Sequence, residues 1–104
     1  MRVGDYGNLL HIQCVDDNGV PVSVANATSV QFFMIDPSGN AGVAFAGVVA
    51  AGETAPGNLA TTAVEAAIPQ AQAVDEAGQW SAEAVVVTAG SSQRTLPVSW
   101  YVHP

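Results

Sequence analysis

The sequence has very few cationic side chains. Among its 104 residues only Arg2 and Arg94 are Lys or Arg, against nine Asp or Glu, so the formal net charge is −7. Proteins that bind phosphate backbones or anionic membranes rely on clusters of Lys and Arg. The composition therefore predicts no nucleic-acid partner and no membrane partner.

Charge of either sign is also scarce. Charged residues make up 11% of the chain and hydrophobic residues 49%, whereas about a quarter of an average soluble chain is charged. The exterior is therefore expected to be unusually neutral. One interpretation is that partner proteins cover much of it. The other is a small sandwich, rich in Ala and Val, that is simply soluble.

Cysteine and long apolar runs are nearly absent. Cys14 is the single cysteine, so an intrachain disulfide is excluded, and we expect it to point inward from a strand as a small hydrophobic side chain. The longest apolar run, residues 43–51, falls short of the roughly 18 apolar residues that a membrane helix needs. The first residues lack the apolar core of a signal peptide, so we expect a protein that is made and used without secretion.

Residues that could hold a metal are isolated from one another. His11 and His103 are the only histidines, and neither has a Cys or a second His at ligand spacing, whereas a zinc site needs about four ligands. Residues 16–19 begin like a calcium-binding loop, but Ala27 stands where such a loop ends in an acid. We predict an ordinary hairpin turn there, and neither a metal nor any other cofactor in the protein.

No residue pattern typical of catalysis is present. The serines lack the neighbouring base that activates a nucleophile, and no aromatic groove of the kind that glycosidases use accompanies the carboxylates. The acids considered for a catalytic pair are Glu65, Asp75, Glu76 and Glu83. We predict that the protein is not an enzyme and has no catalytic residues.

Residues 75–87 carry the clearest structural signal. Gly78 stands where a corner would lead into a strand, a position that suits its access to positive φ. After it, two sets of residues alternate: Trp80, Ala82, Ala84 and Val86, and then Ser81, Glu83, Val85 and Val87. A period of two predicts a strand whose first set faces a core.

Similar patterns, bounded by turn residues, predict five more strands. Together the six span residues 8–15, 28–36, 43–51, 59–67, 78–88 and 93–102. Gly47 predicts a bulge or a close backbone approach, and Pro97 predicts an edge position or a bulge. Turns are expected at residues 16–19, 36–40, 52–58 and 89–92. Pro69, followed by Gly78, predicts a short helical turn between the fourth and fifth strands.

Large side chains divide between the two faces of these strands. Those expected in the core are Phe32, Phe45, Trp80 and Trp100, and Leu96, Val98 and Val102 share the face of Trp100. Phe33, Ile35 and Tyr101 fall on the opposite faces, and aromatic residues are enriched at protein interfaces. We predict that these three belong to an interface; the alternative is a second layer of the same core.

The spacing of the strands indicates a fold class. Strands at intervals of about 8–15 residues, separated by Gly, Pro and Asn turns and without long helices, are typical of an antiparallel β-sandwich. We predict an all-β, immunoglobulin-like sandwich of about six to seven strands, with a short helical turn before Gly78. Residues 1–104 are expected to form a single domain.

The corner resembles a corner of immunoglobulin-type domains, Asp-x-Gly-x-Tyr-x-Cys, with Gly78, Trp80 and Ala82 in the places of Gly, Tyr and Cys. In those domains the Tyr anchors the start of the sixth strand and the Cys joins the two sheets. The resemblance implies an immunoglobulin-like sandwich. Here an indole N–H bond would replace the hydroxyl bond, and packing alone would join the sheets.

A second resemblance extends over nearly the whole chain. Its motifs, in order, lie at residues 17–22 (Asp-Asn-Gly-Val-Pro-Val), 30–34 and 78–80 (Gly-Gln-Trp). The series resembles the small immunoglobulin-like virion proteins of tailed bacteriophages, including the N-terminal domain of phage baseplate upper proteins. It implies a non-enzymatic structural protein of a virion, assembled in the host cytoplasm. It also implies capsid or tail proteins as partners, and a symmetric homo-oligomer or many copies per particle.

Within that class we favour a capsid decoration or cement protein that binds the outer shell and stabilises it, because the chain reads as one free-standing domain. A baseplate, neck or tail adaptor is the alternative. A different class is a surface-displayed carbohydrate-binding sandwich, for which Phe33, Tyr101 and Glu83 would form the platform.

Overall fold

The computed structural model describes residues 1–50 and 61–104. In these residues the chain forms two antiparallel sheets that pack as a sandwich, with almost no helix. The predicted all-β sandwich is confirmed. The loop predicted over residues 52–58, and the first residues of the strand predicted over 59–67, lie outside the described residues.

Eight strands and one 3₁₀ helix make up the described sandwich. The strands are β1 (Leu9–Gln13), β2 (Ser29–Ile35), β3 (Phe45–Ala46), β4 (Val48–Val49), β5 (Ala63–Ala67), β6 (Gly78–Thr88), β7 (Ser91–Arg94) and β8 (Val98–Val102). The helix, Gln70–Gln72, is the short helical turn predicted before Gly78. The strands outnumber the six or seven predicted because two of the predicted strands are each divided in two.

The two sheets differ in width. The first consists of β1, β5 and β4, in that order. In the second, β6 is central: β2 pairs along one side, and β7 and β8 pair one after the other along its other side. β3 extends this sheet beyond β2. With 11 residues, β6 is long enough to pair with two successive strands.

The core lies between the sheets and follows the predicted alternation. Trp80, Ala82, Ala84 and Val86 on β6 are all buried, as predicted. On β2, Phe32 is fully buried, and its ring centroid lies 6.1 Å from that of Phe45. Buried aromatic rings remove more apolar surface from water than any other side chains, so this pair is a main source of stability.

The chain passes from one sheet to the other at Gly47, which separates β3 from β4. A Cβ atom there would lie 2.6 Å from Cε1 of Phe32 and 2.9 Å from the carbonyl oxygen of Glu65. The predicted close backbone approach is therefore confirmed. The single strand predicted over residues 43–51 is wrong, because this crossing divides it, and Val43 before it is 76% exposed.

The turn predicted over residues 89–92 is shorter than expected. Only Ala89 and Gly90 form it, and Ser91 already pairs with Thr88 as the first residue of β7. Gly90 has a φ of 86°, which a two-residue turn of this kind favours and which glycine adopts without steric cost.

The single strand predicted over residues 93–102 is also wrong, because it is interrupted between β7 and β8. Thr95 bridges the gap: its N–H donates to the Ala84 carbonyl, and its Oγ1 accepts a hydrogen bond from the Ala84 N–H. Leu96 is thereby turned outward and is 66% exposed, contrary to the prediction that it faces the core. Pro97 cannot donate to the ladder. It was predicted at an edge position or a bulge, but it lies between β7 and β8 and belongs to neither strand.

Two hairpin loops use the same set of hydrogen bonds. Asp16 Oδ1 accepts from the backbone N–H groups two and four residues later, at 2.8 and 3.0 Å. Asp36 Oδ1 does the same at 3.0 and 2.9 Å. These are Asx-capped turns, as the sequence predicts for residues 16–19 and 36–40.

Candidate functional site

One face of the second sheet points away from the core, and it is the candidate site. Side chains of cross-strand partners share a face, so the register identifies its members. They are Ser29, Gln31, Phe33, Ile35, Ala46, Gln79, Ser81, Glu83, Val85, Val87, Ser92, Arg94, Ser99 and Tyr101. We call this surface the outer face.

All three predicted interface residues lie on the outer face. Phe33 and Ile35 are successive outward residues of β2 and are half-buried, whereas Tyr101 on β8 is 52% exposed. Phe33 lies opposite Glu83 on β6, and Tyr101 lies opposite Gln79. The structure therefore places the three on one surface but in two positions, separated by β6. They do not form a second core layer within the described sandwich, because the core lies on the other side of their sheet.

Arg94 contacts two different kinds of side chain on the outer face. Its Nε lies 3.6 Å from Oε2 of Glu83, and its guanidinium carbon lies 5.1 Å from the ring centroid of Phe33. The Arg94 side chain is 64% exposed, so the ion pair contributes only about 0–1 kcal/mol to stability. Its main effect is to cancel charge: this pair comprises the charged residues of the outer face, which is neutral although the chain carries −7.

Gly78 and Trp80 form the predicted structural corner. Gly78 has a φ of 133°, and a Cβ atom there would lie 2.9 Å from Cβ and Cγ of Pro37. The Trp80 side chain is 6% exposed, and its Nε1–H donates to the carbonyl oxygen of Glu76 at 2.8 Å. This is the indole bond that the immunoglobulin resemblance implies. The corner fixes where β6 begins, and hence which residues face outward.

Cys14, just after β1, is buried. Burial raises the pKa of its thiol, because the thiolate would lose its hydration. A thiol with a raised pKa is a poor nucleophile at neutral pH. The prediction that Cys14 is buried as a small hydrophobic side chain is confirmed, but its predicted place on a strand is wrong, because β1 ends at Gln13.

The acids considered for a catalytic pair are dispersed. Glu65 lies on β5 of the first sheet and Glu83 on the outer face of the second, whereas Asp75 and Glu76 precede the corner. Over residues 1–50 and 61–104, no three His, Cys, Asp or Glu side chains are grouped so that they could hold a metal ion. The same residues contain no helix with the length and apolarity needed to span a membrane.

A cleft of about 220 Å³ lies beside the corner. Its lining includes Asp36, Gln72 and Asp75, together with the apolar Met34 and Trp80. Sites for drug-sized ligands measure about 300–1,000 Å³, and Oδ1 of Asp36 is already engaged by its own loop. We assign this cleft no ligand.

Most members of the outer face were not predicted as interface residues, and Val85, Val87 and Arg94 are the ones that add apolar area or charge to it. The alternation along β6 contains the signal for Val85 and Val87, since it places both away from the core. Arg94 could not be placed in this way. Its position over Phe33 depends on how β7 pairs with β6 and β6 with β2, which are non-local pairings.

Comparison with known proteins identifies no relative. No family model matches the chain, and neither the curated proteins nor the solved structures contain a match.

Proposed function

We propose that this chain is a non-enzymatic structural protein of a tailed-phage virion, and that it decorates the outer surface of the capsid. Two observations support the proposal. The first is the ordered series of motifs that resembles small immunoglobulin-like virion proteins. The second is the outer face, whose composition suits contact with other proteins.

The composition of the outer face carries the proposal. Its larger apolar members, interspersed with uncharged Ser and Gln side chains, are Phe33, Ile35, Val85, Val87 and Tyr101. Depletion of charge combined with retained aromatic residues is typical of interface cores. Small ligands favour concave sites, whereas one side of a sheet is broad and shallow. The outer face therefore favours a protein as partner.

Each contact of a decoration protein can be weak. A shell presents many equivalent positions related by symmetry, and contacts that act together raise the apparent affinity without any new kind of interaction. A surface of modest area on a small domain is therefore sufficient, provided that many copies act at once.

Purified virions test the proposal. The protein should appear as a regular component in gel electrophoresis, and its density should lie on the outer capsid surface in electron cryomicroscopy. Absence from virions would end the proposal. Density at the baseplate, neck or tail would replace capsid decoration by the adaptor role.

A pair of variants tests the outer face in particle assembly. Phe33→Asp removes the ring and gives the proposed contact a net negative charge, and it should lower occupancy on virions at least about tenfold, since burying a charge is costly. Val43→Asp is the matched control, because Val43 is 76% exposed and lies outside the outer face. Equal occupancy of the two variants would show that the outer face makes no contact in the particle.

The carbohydrate-binding alternative has less support. A sugar platform needs an aromatic ring with an open face, but Arg94 already lies over Phe33, and His103 contacts Tyr101 edge-on with 4.9 Å between centroids. A glycan array decides the matter. Binding that disappears in Tyr101→Ala would favour this alternative over virion structure.

A further inference from the structure

We propose that the outer face binds the outer face of a second copy of this chain, giving a face-to-face dimer. The inference rests on the proposed function only in assigning the outer face to protein contact. It goes further because it names the partner and the relative orientation of the two copies.

The distribution of charge favours this face for self-association. Apart from Glu83, the acids of the described residues lie on the two hairpin loops, near the N-terminus, before the corner and on β5. Two copies that each carry −7 repel one another through any surface that presents those carboxylates. On the outer face, Glu83 is paired with Arg94 at 3.6 Å. Each outer face therefore carries one cation and one anion, and two copies can meet there without net repulsion.

The order of the strands makes the outer face complementary to itself. β6 lies in the middle, with Phe33 and Ile35 on the β2 side and Arg94 and Tyr101 on the β7–β8 side. A two-fold axis parallel to β6, midway between two copies, sets β2 of each copy against β7 and β8 of the other. The apolar pair of one copy then packs on the edge strands of the other. The two Glu83 carboxylates meet near the axis, each beside its own Arg94 at 3.6 Å. Such an interface is isologous and closes at two copies.

The dimensions of the face suit a weak dimer. β6 has 11 residues and is therefore about 37 Å long, and three strand positions span roughly 15 Å with their side chains. The contact is then roughly 550 Å² per copy and roughly 1,100 Å² in total, near the lower limit for a specific interface. We expect reversible dimers with a dissociation constant on the order of 100 μM, which many copies on one particle would reinforce.

Reversal of charge tests the dimer in the purified protein. Wild-type protein should show a reversible monomer–dimer equilibrium in analytical ultracentrifugation at low salt. Glu83→Arg gives each face two cations and Arg94→Glu gives it two anions, so each variant alone should dimerise at least about tenfold more weakly. An equal mixture of the two should form a heterodimer within about threefold of the wild-type affinity, because the opposite faces then attract.

The matched control is Asp17→Arg, which changes the net charge as much as Glu83→Arg but on an exposed hairpin loop. Its dimerisation should stay within about threefold of wild type. A wild-type protein that is monomeric at millimolar concentration would overturn the inference. The inference would also be overturned if neither charge reversal weakened dimerisation. The same holds if an equal mixture of the two variants did not dimerise.

A measurement on the wild-type protein covers the case in which a variant does not fold. On dilution, amide NMR signals of outer-face residues such as Phe33 and Val85 should shift, while those of β1 should not. Shifts confined to β1 would overturn the inference. The two proposals also fail separately: a dimer that obeys the charge exchange but is absent from virions retains this inference alone, and a virion protein that stays monomeric in solution retains only the proposed function.

Discussion

The corner and the edge strand each place a tryptophan on the inner face of the second sheet, and the two side chains have different surroundings. Trp80 on β6 and Trp100 on β8 are cross-strand partners. Trp80 is buried, and its Nε1–H donates to the carbonyl of Glu76. Trp100 is half-buried, and its buried Nε1–H finds no acceptor among the described residues.

The difference follows from position in the sheet. β6 has a strand on each side, and the corner before it supplies a carbonyl four residues upstream of Trp80. β8 pairs with β6 alone in the described topology and follows an interruption at residues 95–97. The two tryptophans lie on strands with the same alternating pattern, yet they contribute unequally to the stability of the fold. A buried indole contributes fully only when its N–H donates a hydrogen bond.

The largest expected effect is that of Trp80→Ala. Removing this ring should destabilise the fold by about 3–5 kcal/mol, because it leaves a cavity in the core. Trp100→Ala should cost about half as much, since the ring is partly exposed. Urea denaturation followed by circular dichroism measures both. Asn40→Ala, in an exposed loop, is the control and should cost much less than either. Equal losses at the two tryptophans would contradict the comparison.

A smaller effect is expected from two glycines at opposite ends of β6: Gly78 in the corner and Gly90 in the turn after the strand. Gly78→Ala should cost about 2–4 kcal/mol, the sum of an unfavourable φ and contact with Pro37. Gly90→Ala should cost only about 1–2 kcal/mol, because a Cβ atom there meets nothing within 4 Å. Thermal unfolding of the two variants provides the measurement. A Gly90 variant less stable than the Gly78 variant would show that contact with Pro37 is not what confines the corner.

The smallest effect, and the sharpest comparison, comes from replacing each indole by a phenyl ring. Trp80→Phe loses a hydrogen bond together with packing and should cost about 1–3 kcal/mol. Trp100→Phe removes a buried donor without a partner, which offsets the lost packing, so its stability should stay within about 1 kcal/mol of wild type. The midpoints of urea denaturation measure the stability losses of the two variants. A loss at Trp100→Phe as large as at Trp80→Phe would mean that the Trp100 indole is hydrogen-bonded.

The parts of the fold that could be predicted are those with a local cause. The alternation along β6 predicts which of its residues face the core. Asp16 and Asp36 predict the two Asx turns, and a glycine within a strand pattern predicts the close backbone approach at Gly47. Each of these depends on neighbours in the sequence. The indole bond of the corner was expected from the resemblance to immunoglobulin corners, but its acceptor, the Glu76 carbonyl four residues upstream, was not named.

The parts that could not be predicted depend on partners distant in the sequence. Leu96 alternates correctly with Val98 and Val102, yet it turns outward because Thr95 bonds twice to Ala84. The charge pair and the ring contact of Arg94 likewise need the register of three strands. Phe33, Ile35 and Tyr101 could be predicted as outward-facing, but their separation by β6 could not.

The single residue between β3 and β4 also has a mechanical consequence. At Gly47 the two sheets are connected by a single residue. This connection is too short for one sheet to slide past the other along that margin. The opposite margin, formed by β1 and the β7–β8 edge, is joined by hydrogen bonds instead: a backbone bridge links Arg2, ahead of β1, to His103, just after β8. We expect thermal fluctuations to separate the two layers at this margin before they separate at Gly47, because hydrogen bonds open more readily than a covalent connection. Cys14, which lies beside Gln93 and Arg94, would then be exposed to water.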